Sequence, residues 1–234
     1  GLSALGGLVV LEPEELQYDP HWHGDITAGA QSNGRIFTLN TTLLKSLFAG
    51  NTRWTASYTK GGDRQSPDYY LTNTGNTESA ASLLISNKNH IRHNRKLYFS
   101  YYHNESGILR GSHAENLTDL MDAFERQIPQ YTNNHFSYKI NAPKQEVSHY
   151  LTKYFHKITL SDYKTVTFEG AFQANSRQEF DIRRGDRTDI PSLNLTLLSQ
   201  YYDLQYNFLP ENQALLYSIG LQYKNNNNYN NPGT

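Results

Sequence analysis

Thr165-Val-Thr-Phe-Glu-Gly-Ala-Phe-Gln-Ala-Asn175 is the stretch whose reading decides the fold. In an extended chain Val166, Phe168, Phe172 and Ala174 fall on one face, and Thr165, Thr167, Glu169, Gln173 and Asn175 on the other. A strand of a soluble sandwich is usually about 5–6 residues long. A tilted strand needs about 9–11 residues to cross a bilayer. The pattern recurs elsewhere. Trp54, Ala56 and Tyr58 oppose Arg53, Thr55, Ser57 and Thr59, and Leu97, Phe99 and Tyr101 oppose Tyr98, Ser100 and Tyr102. Leu215, Tyr217, Ile219 and Leu221 likewise oppose Leu216, Ser218, Gly220 and Gln222. The expected class is all-β: part of a transmembrane antiparallel β-barrel, apolar towards lipid and polar towards a wet interior.

Working outward, nine long strands are expected at 24–31, 35–47, 52–61, 78–88, 95–103, 148–158, 164–176, 193–208 and 214–224. The strand at 193–208 changes phase near Tyr201-Tyr202, which implies a bulge or a misplaced boundary. Connectors sort by length. Short polar turns fall at 48–51, 89–94, 159–163 and 210–213, and long loops at 62–77, 104–147 and 177–192. Short periplasmic turns and long extracellular loops are the asymmetry of outer-membrane barrels. The longest loop carries a helix signal. Ser112-His-Ala-Glu115 reads as a capping box, Leu117, Leu120, Met121, Phe124 and Ile128 recur at helical spacing, and Pro129 stops the run. About four turns of amphipathic helix are expected there, packed over the barrel rim or acting as a lid over ligand.

Composition fits this class. No run reaches the roughly 18 apolar residues of a membrane helix, and lumen-facing residues lower a barrel's mean hydropathy, here -0.71. Tyr dominates the aromatics, 18 against 2 Trp, and suits both strands and the headgroup zone. The absence of Cys excludes disulfide frameworks and thiolate metal sites. A net charge of -1 argues against a nucleic-acid partner. No Ser-His-Asp set or close carboxylate pair suggests catalysis, so neither an enzyme nor a bound cofactor is expected. The N-terminus is not a signal peptide. The Asn-rich run after Lys224 reads as a polar loop rather than a strand, and the chain as an internal piece of a longer protein.

Candidate ligand-binding residues lie near the long loops. Arg177, Arg183 and Arg184, within Arg177-Gln-Glu-Phe-Asp-Ile-Arg-Arg184, either pair with neighbouring acids or attract an anionic ligand through bidentate contacts. His103, His113 and His149, with His135, either reflect polar loop composition or converge on zinc or haem iron. His21-Trp-His23 puts two imidazoles on one face of an extended chain, a pairing that can bind a metal but is common by chance. The identity of any metal stays open.

Five segments then carry a family resemblance. Gly1-Leu-Ser-Ala-Leu-Gly-Gly-Leu-Val-Val-Leu11 resembles the end of the plug domain of TonB-dependent outer-membrane receptors. Pro67-Asp-Tyr-Tyr-Leu-Thr-Asn-Thr-Gly75 followed by Glu78 is similar to an outer loop of the Bacteroidetes-type, iron-complex receptor-like branch. So are Gly107-Ile-Leu-Arg-Gly-Ser-His113, Asn141-Ala-Pro-Lys-Gln-Glu-Val-Ser-His149 and Arg177–Arg184. The resemblance implies a plug inside a barrel of about 22 strands. On that reading 1–18 is the end of the plug, 19–23 a linker and 24–234 the first part of the barrel. It implies import of a scarce nutrient, most readily an iron complex such as a siderophore or haem, or zinc in a metal-specific member. The partners implied are a TonB complex reached through a region N-terminal to this chain, outer-membrane lipid and the ligand. The implied location is the outer membrane of a Gram-negative bacterium. A soluble β-rich carbohydrate-binding module and a surface adhesin are the alternatives from other classes.

Overall fold

Long alternating segments joined by short turns can satisfy their backbone groups only by pairing with one another, and the computed structural model resolves this as one large sheet. Residues 15–87, 92–109, 117–182, 188–209 and 216–230 are described. In chain order the elements are β1 (His23–Gln31), β2 (Ile36–Leu47), β3 (Gly50–Gly61), β4 (Arg64–Gln65), β5 (Tyr70–Leu71), β6 (Asn76–Asn87) and β7 (His93–Gly107). There follow α1 (Leu117–Glu125), β8 (Thr132–Asn133), β9 (Lys144–Ser161), β10 (Lys164–Phe180), β11 (Leu193–Phe208) and β12 (Tyr217–Asn230). Nine strands form an antiparallel sheet in the order β1-β2-β3-β6-β7-β9-β10-β11-β12, and β4-β5-β8 form a second, small one. Each expected long strand is present. The large sheet is open: among the described residues its edges, β1 and β12, pair with no further strand, so no closed barrel is formed.

Residues opposed across an antiparallel ladder share a face, so the register sorts the sheet into two. Leu43, Trp54, Leu83, Phe99, Thr152 and Phe172 form one continuous row. One residue along each strand, Thr55, Ser82, Ser100, Leu151, Gln173 and Ser199 form a row on the other face. The first face also carries Ile26, Leu39, Tyr101, Tyr150, Val166, Phe168, Leu204, Ile219 and Leu221. The second carries Arg53, Glu78, Lys96, Lys153, Glu169, Asp203 and Lys224. The face assignment of the 165–175 segment therefore holds.

The apolar face is bare. Among the described hydrophobic residues only Ile36 and Leu84 are buried, and both lie on the polar face. Among the described residues every pair of elements in contact is a pair of hydrogen-bonded strands, with no helix or second sheet stacked on the large one. An apolar groove of ≈ 530 Å³ runs over Ala56 and Ala81 between Trp54 and the tilted pair Tyr101–Tyr150, whose centroids are 5.1 Å apart.

Four expectations are corrected. The Asn-rich run is not a loop, since Asn225 to Asn230 pair in register with Gln200 to Leu195 as the end of β12. Backbone ladder bonds do not need a favourable side chain when a neighbouring strand is already in place. No bulge occurs at Tyr201-Tyr202. Both registers of β11 run unbroken there, and the shift lies between Lys164 and Thr165 in β10. The helix is nine residues, about two and a half turns, and Leu117, Leu120, Met121 and Phe124 on its apolar stripe are all exposed rather than packed on the rim. Several strands also outrun their expected ends; β9 has 18 residues and β7 has 15. The segment 1–11 that resembles the end of a plug, the capping box at 112–115 and the turn at 210–213 lie outside the described residues.

Candidate functional site at the long-loop end

Strand direction sends the turn at 32–35 and the segments 62–75, 108–143 and 181–192 to one end of the sheet, while the turns at 48–49 and 162–163 lie at the other. At the long-loop end the segments are tied together. β5 pairs with both β4 and β8, joining the 62–75 and 108–143 segments through Tyr70↔Asn133 and Leu71↔Thr132. Thr72 Oγ1 adds a hydrogen bond to the Tyr131 carbonyl.

Asn73 is the hub. Its side-chain amide donates to the carbonyls of Ile108 (2.9 Å) and Pro143 (2.8 Å), and its Oδ1 accepts from the Asn141 amide at 2.8 Å. The Ile108 amide donates to Pro143 O at 2.9 Å, so both ends of the longest loop meet at this residue. Asn73 is buried and has φ 62°, a left-handed conformation that Asn tolerates better than most residues. The Asp63 carboxylate and Thr74 hydroxyl brace the same turn, accepting from Thr74 N at 3.3 Å and Arg64 N at 2.7 Å.

Phe136 anchors the returning strand of loop. The Arg35 guanidinium lies 4.2 Å above its ring, Tyr138 packs edge-on at 4.7 Å and Tyr70 at 5.8 Å. The Tyr138 hydroxyl donates to Arg35 O at 2.9 Å. A cation over an aromatic face contributes about 0.5–2 kcal/mol. Gly62 makes the approach possible, because a Cβ there would sit 2.4 Å from both Phe136 Cζ and Ser137 O. Gly62→Ala should therefore push Phe136 off Arg35 at a cost of about 1–3 kcal/mol. Limited proteolysis within 108–143 should accelerate while the far-UV β-signal is unchanged; unaltered cleavage would show that the packing carries no weight.

The candidate ligand residues divide between faces. Arg177 lies on the polar face between Val147 and Leu195, and its guanidinium is already paired with Glu179. His149 is also on the polar face, opposite Tyr102 and Asn175. His103 is on the apolar face, its Nδ1 3.0 Å from Ser148 Oγ. His103 and His149 therefore point to opposite sides of the sheet and do not converge on one ion. Arg183, Arg184 and His113 lie outside the described residues. Among the described residues the one group of three that could hold a cation is Asp19, His21 and His23, at the short-turn end.

The polar face supplies a hydrogen-bonding floor. Lys153 Nζ lies 2.7 Å from Glu169 Oε1, the Tyr201 hydroxyl donates to Asp203 Oδ2 at 3.2 Å, and Gln222 Nε2 donates to Tyr201 Oη at 2.9 Å. Nearer the loops the Tyr102 hydroxyl donates to Glu78 at 3.3 Å. On the apolar side of the loop end Lys144 bridges Glu105 (2.7 Å) and Glu146 (2.6 Å) with Phe180 5.0 Å from its ammonium. Sequence reasoning passed over Asn73, Phe136 and Lys144. Only Lys144 and Glu146, two apart in an extended run, left a readable trace.

Taken together, the described residues define an all-β protein with an antiparallel sheet, one face apolar and one polar, and cross-tied loops at one end. No known family model matches the chain, and no curated protein or solved structure matches it significantly.

Proposed function

We propose that this chain is part of an outer-membrane TonB-dependent receptor that imports a scarce nutrient, an iron complex such as a ferric siderophore or haem. The observation that carries the membrane reading is the bare apolar face. In a soluble domain a sheet with one apolar face is covered by a second layer. Here Phe99, Phe172, Leu204 and Ile219 are exposed across a sheet whose nine strands have 9 to 18 residues. Lipid is the environment in which such a face is satisfied, with the polar face lining an aqueous interior. Sorted connectors and the resemblance of the five segments support the receptor class.

Two open edges cannot remain unpaired in hydrocarbon, so on this reading β1 and β12 join further strands in the assembled barrel. The segment before β1 agrees with a plug arriving from inside. The Leu16 carbonyl accepts from Asn51 Nδ2 at 2.8 Å, and the Asp19 amide donates to Ser46 Oγ at 2.7 Å. Asn51 and Ser46 pair with each other on the polar face.

The long-loop end is the vestibule for ligand in this reading, with the polar face and Arg177 below and the exposed stripe of α1 above. A loop of this length is usually functional, and an apolar stripe left uncovered suits contact with a bulky ligand. Deleting 115–127 should abolish binding while leaving the sheet intact, since α1 contacts no strand. A ferric hydroxamate, a ferric catecholate and haem, titrated separately against the complete gene product in detergent, provide the measurement. Binding of none of them by the parent overturns the iron-complex reading; undiminished binding after the deletion reduces the loop to packing.

A further inference from the structure

We infer that Asp19, His21 and His23 form a divalent transition-metal site, of the zinc class, that clasps the segment preceding β1 onto the short-turn end of the sheet. The three side chains bring one carboxylate and two imidazoles together, their ligand atoms all within 4.8 Å of one another. Asp19 Oδ1 is 3.2 Å from His21 Nδ1, and Asp19 Oδ2 is 2.8 Å from His23 Nε2. Two-histidine, one-carboxylate sets with open positions hold zinc and other first-row divalent ions, water completing the shell. Hard cations such as calcium and magnesium prefer all-oxygen shells.

The site is built rather than incidental. A bend at Pro20 and His21 brings the chain into β1, and the Trp22 ring between the two histidines lies 4.8 Å from Lys45 Nζ. Two backbone hydrogen bonds fix Asp19: its amide donates to Ser46 Oγ at 2.7 Å, and its carbonyl accepts from Ser46 N at 2.7 Å. Ser46 Oγ in turn donates to Asn51 Oδ1 at 2.7 Å. His23 is held by its pairing with Leu44 in the β1–β2 ladder. Two of the three ligands are thus fixed by the sheet before any ion arrives, which lowers the ordering cost of binding. The His21 amide donates to Asp19 Oδ1 at 2.8 Å, which holds the carboxylate beside both imidazoles.

This site is separate from the proposed nutrient vestibule. The nine residues of β1 carry the chain from His23 to the long-loop end, roughly 27 Å at about 3.3 Å per residue. An ion here would stiffen the junction between the incoming segment and β2, and its presence does not depend on what the loops bind.

Cobalt(II), a spectroscopic stand-in for zinc, tests the site in the complete gene product held in detergent micelles. The emission of Trp22 is isolated as the difference between the parent and Trp22→Phe, with every other indole retained in both. Cobalt should quench Trp22 emission saturably, and excess zinc should restore it. H21A/H23A should abolish the quenching. Asp19→Asn should raise the concentration required at least about tenfold, the scale seen for weakened metal ligation. His149→Ala, remote from Trp22, should leave the titration unchanged. Asp19, His21 and His23 precede or begin β1, so the circular dichroism of their variants should match the parent. An Asp19→Asn titration identical to the parent reduces the site to an exposed histidine pair and overturns the inference, as does quenching that survives H21A/H23A.

Discussion

Phe99→Arg should cost about 2–4 kcal/mol in a bilayer and prevent assembly of the sheet there, whereas Gln173→Arg should cost less than about 1 kcal/mol. Phe99 sits mid-strand on the apolar face between Leu83 and Thr152. If that face meets lipid, as proposed, a guanidinium there would have no ordered partner and no water. Gln173 is on the opposite face between Leu151 and Ser199, where an added charge meets a polar surface. Folding into lipid vesicles, followed by heat-dependent gel mobility, separates the two. Equal damage from both substitutions would remove the distinction between a lipid face and an aqueous face, and with it the membrane reading. Neither residue is buried, Phe99 being exposed and Gln173 half-buried, so packing loss does not dominate either change.

Asn73→Leu should release the long loop while leaving the nine-stranded sheet formed. The substitution removes two donors and one acceptor from buried contacts with Ile108, Pro143 and Asn141. Leaving such groups unpaired costs about 1–3 kcal/mol each where water cannot replace the partner, and a branched side chain is poorly tolerated at φ 62°. A net loss of about 3 kcal/mol in local stability is expected. Hydrogen exchange at the amides of Ile108 and Asn141 should rise by about two orders of magnitude, with strand amides at Phe99 and Phe172 unaffected. Asn73→Gly separates the contributions. Glycine relieves the backbone conformation but restores none of the hydrogen bonds, so recovery of protection in that variant would mean that strain, not the amide, governs the hub.

The sheet was legible in the sequence because the chain alternates wherever one face must be apolar. Trp54-Thr55-Ala56 and Leu97-Tyr98-Phe99 need no structure to be sorted, and the register carries their assignment across the sheet. Legibility failed where that demand ends. Beyond His103 and before Ser148 β7 and β9 carry polar residues on both faces, Val147 apart, so periodicity fades although the ladder continues to Gly107 and from Lys144. The asparagines of 225–230 disfavour strands individually and read as a loop, yet β11 supplies a complete template for the run. The apparent phase change at Tyr201-Tyr202 came from tyrosine's double character. Tyr202 stacks on Tyr223 on the apolar side, while Tyr201 turns its hydroxyl to Asp203 on the polar side.

The loop-end site was less legible for a different reason. β4, β5 and β8 are two residues each, below any periodic signal. Asn73 draws its importance from partners at 108, 141 and 143, a long-range arrangement that local spacing does not encode. His21 and His23 were visible as a pair, but Asp19 was not joined to them, although i, i+2 and i+4 share a side in an extended chain.

The closure of the longest loop on Asn73 has a consequence for how such a protein diversifies. Ile108 and Pro143 are pinned together, and Phe136 and Tyr138 are moored to Arg35, so the stretch between Ile108 and Tyr131 leaves and re-enters the protein at fixed points. Each doubling of its length adds only about 0.6 kcal/mol of closure entropy, and the strands on either side need not adjust. Mutation can therefore lengthen, shorten or rewrite that stretch in small steps. The surface formed by that stretch is free to vary while the sheet beneath stays under an unchanged constraint.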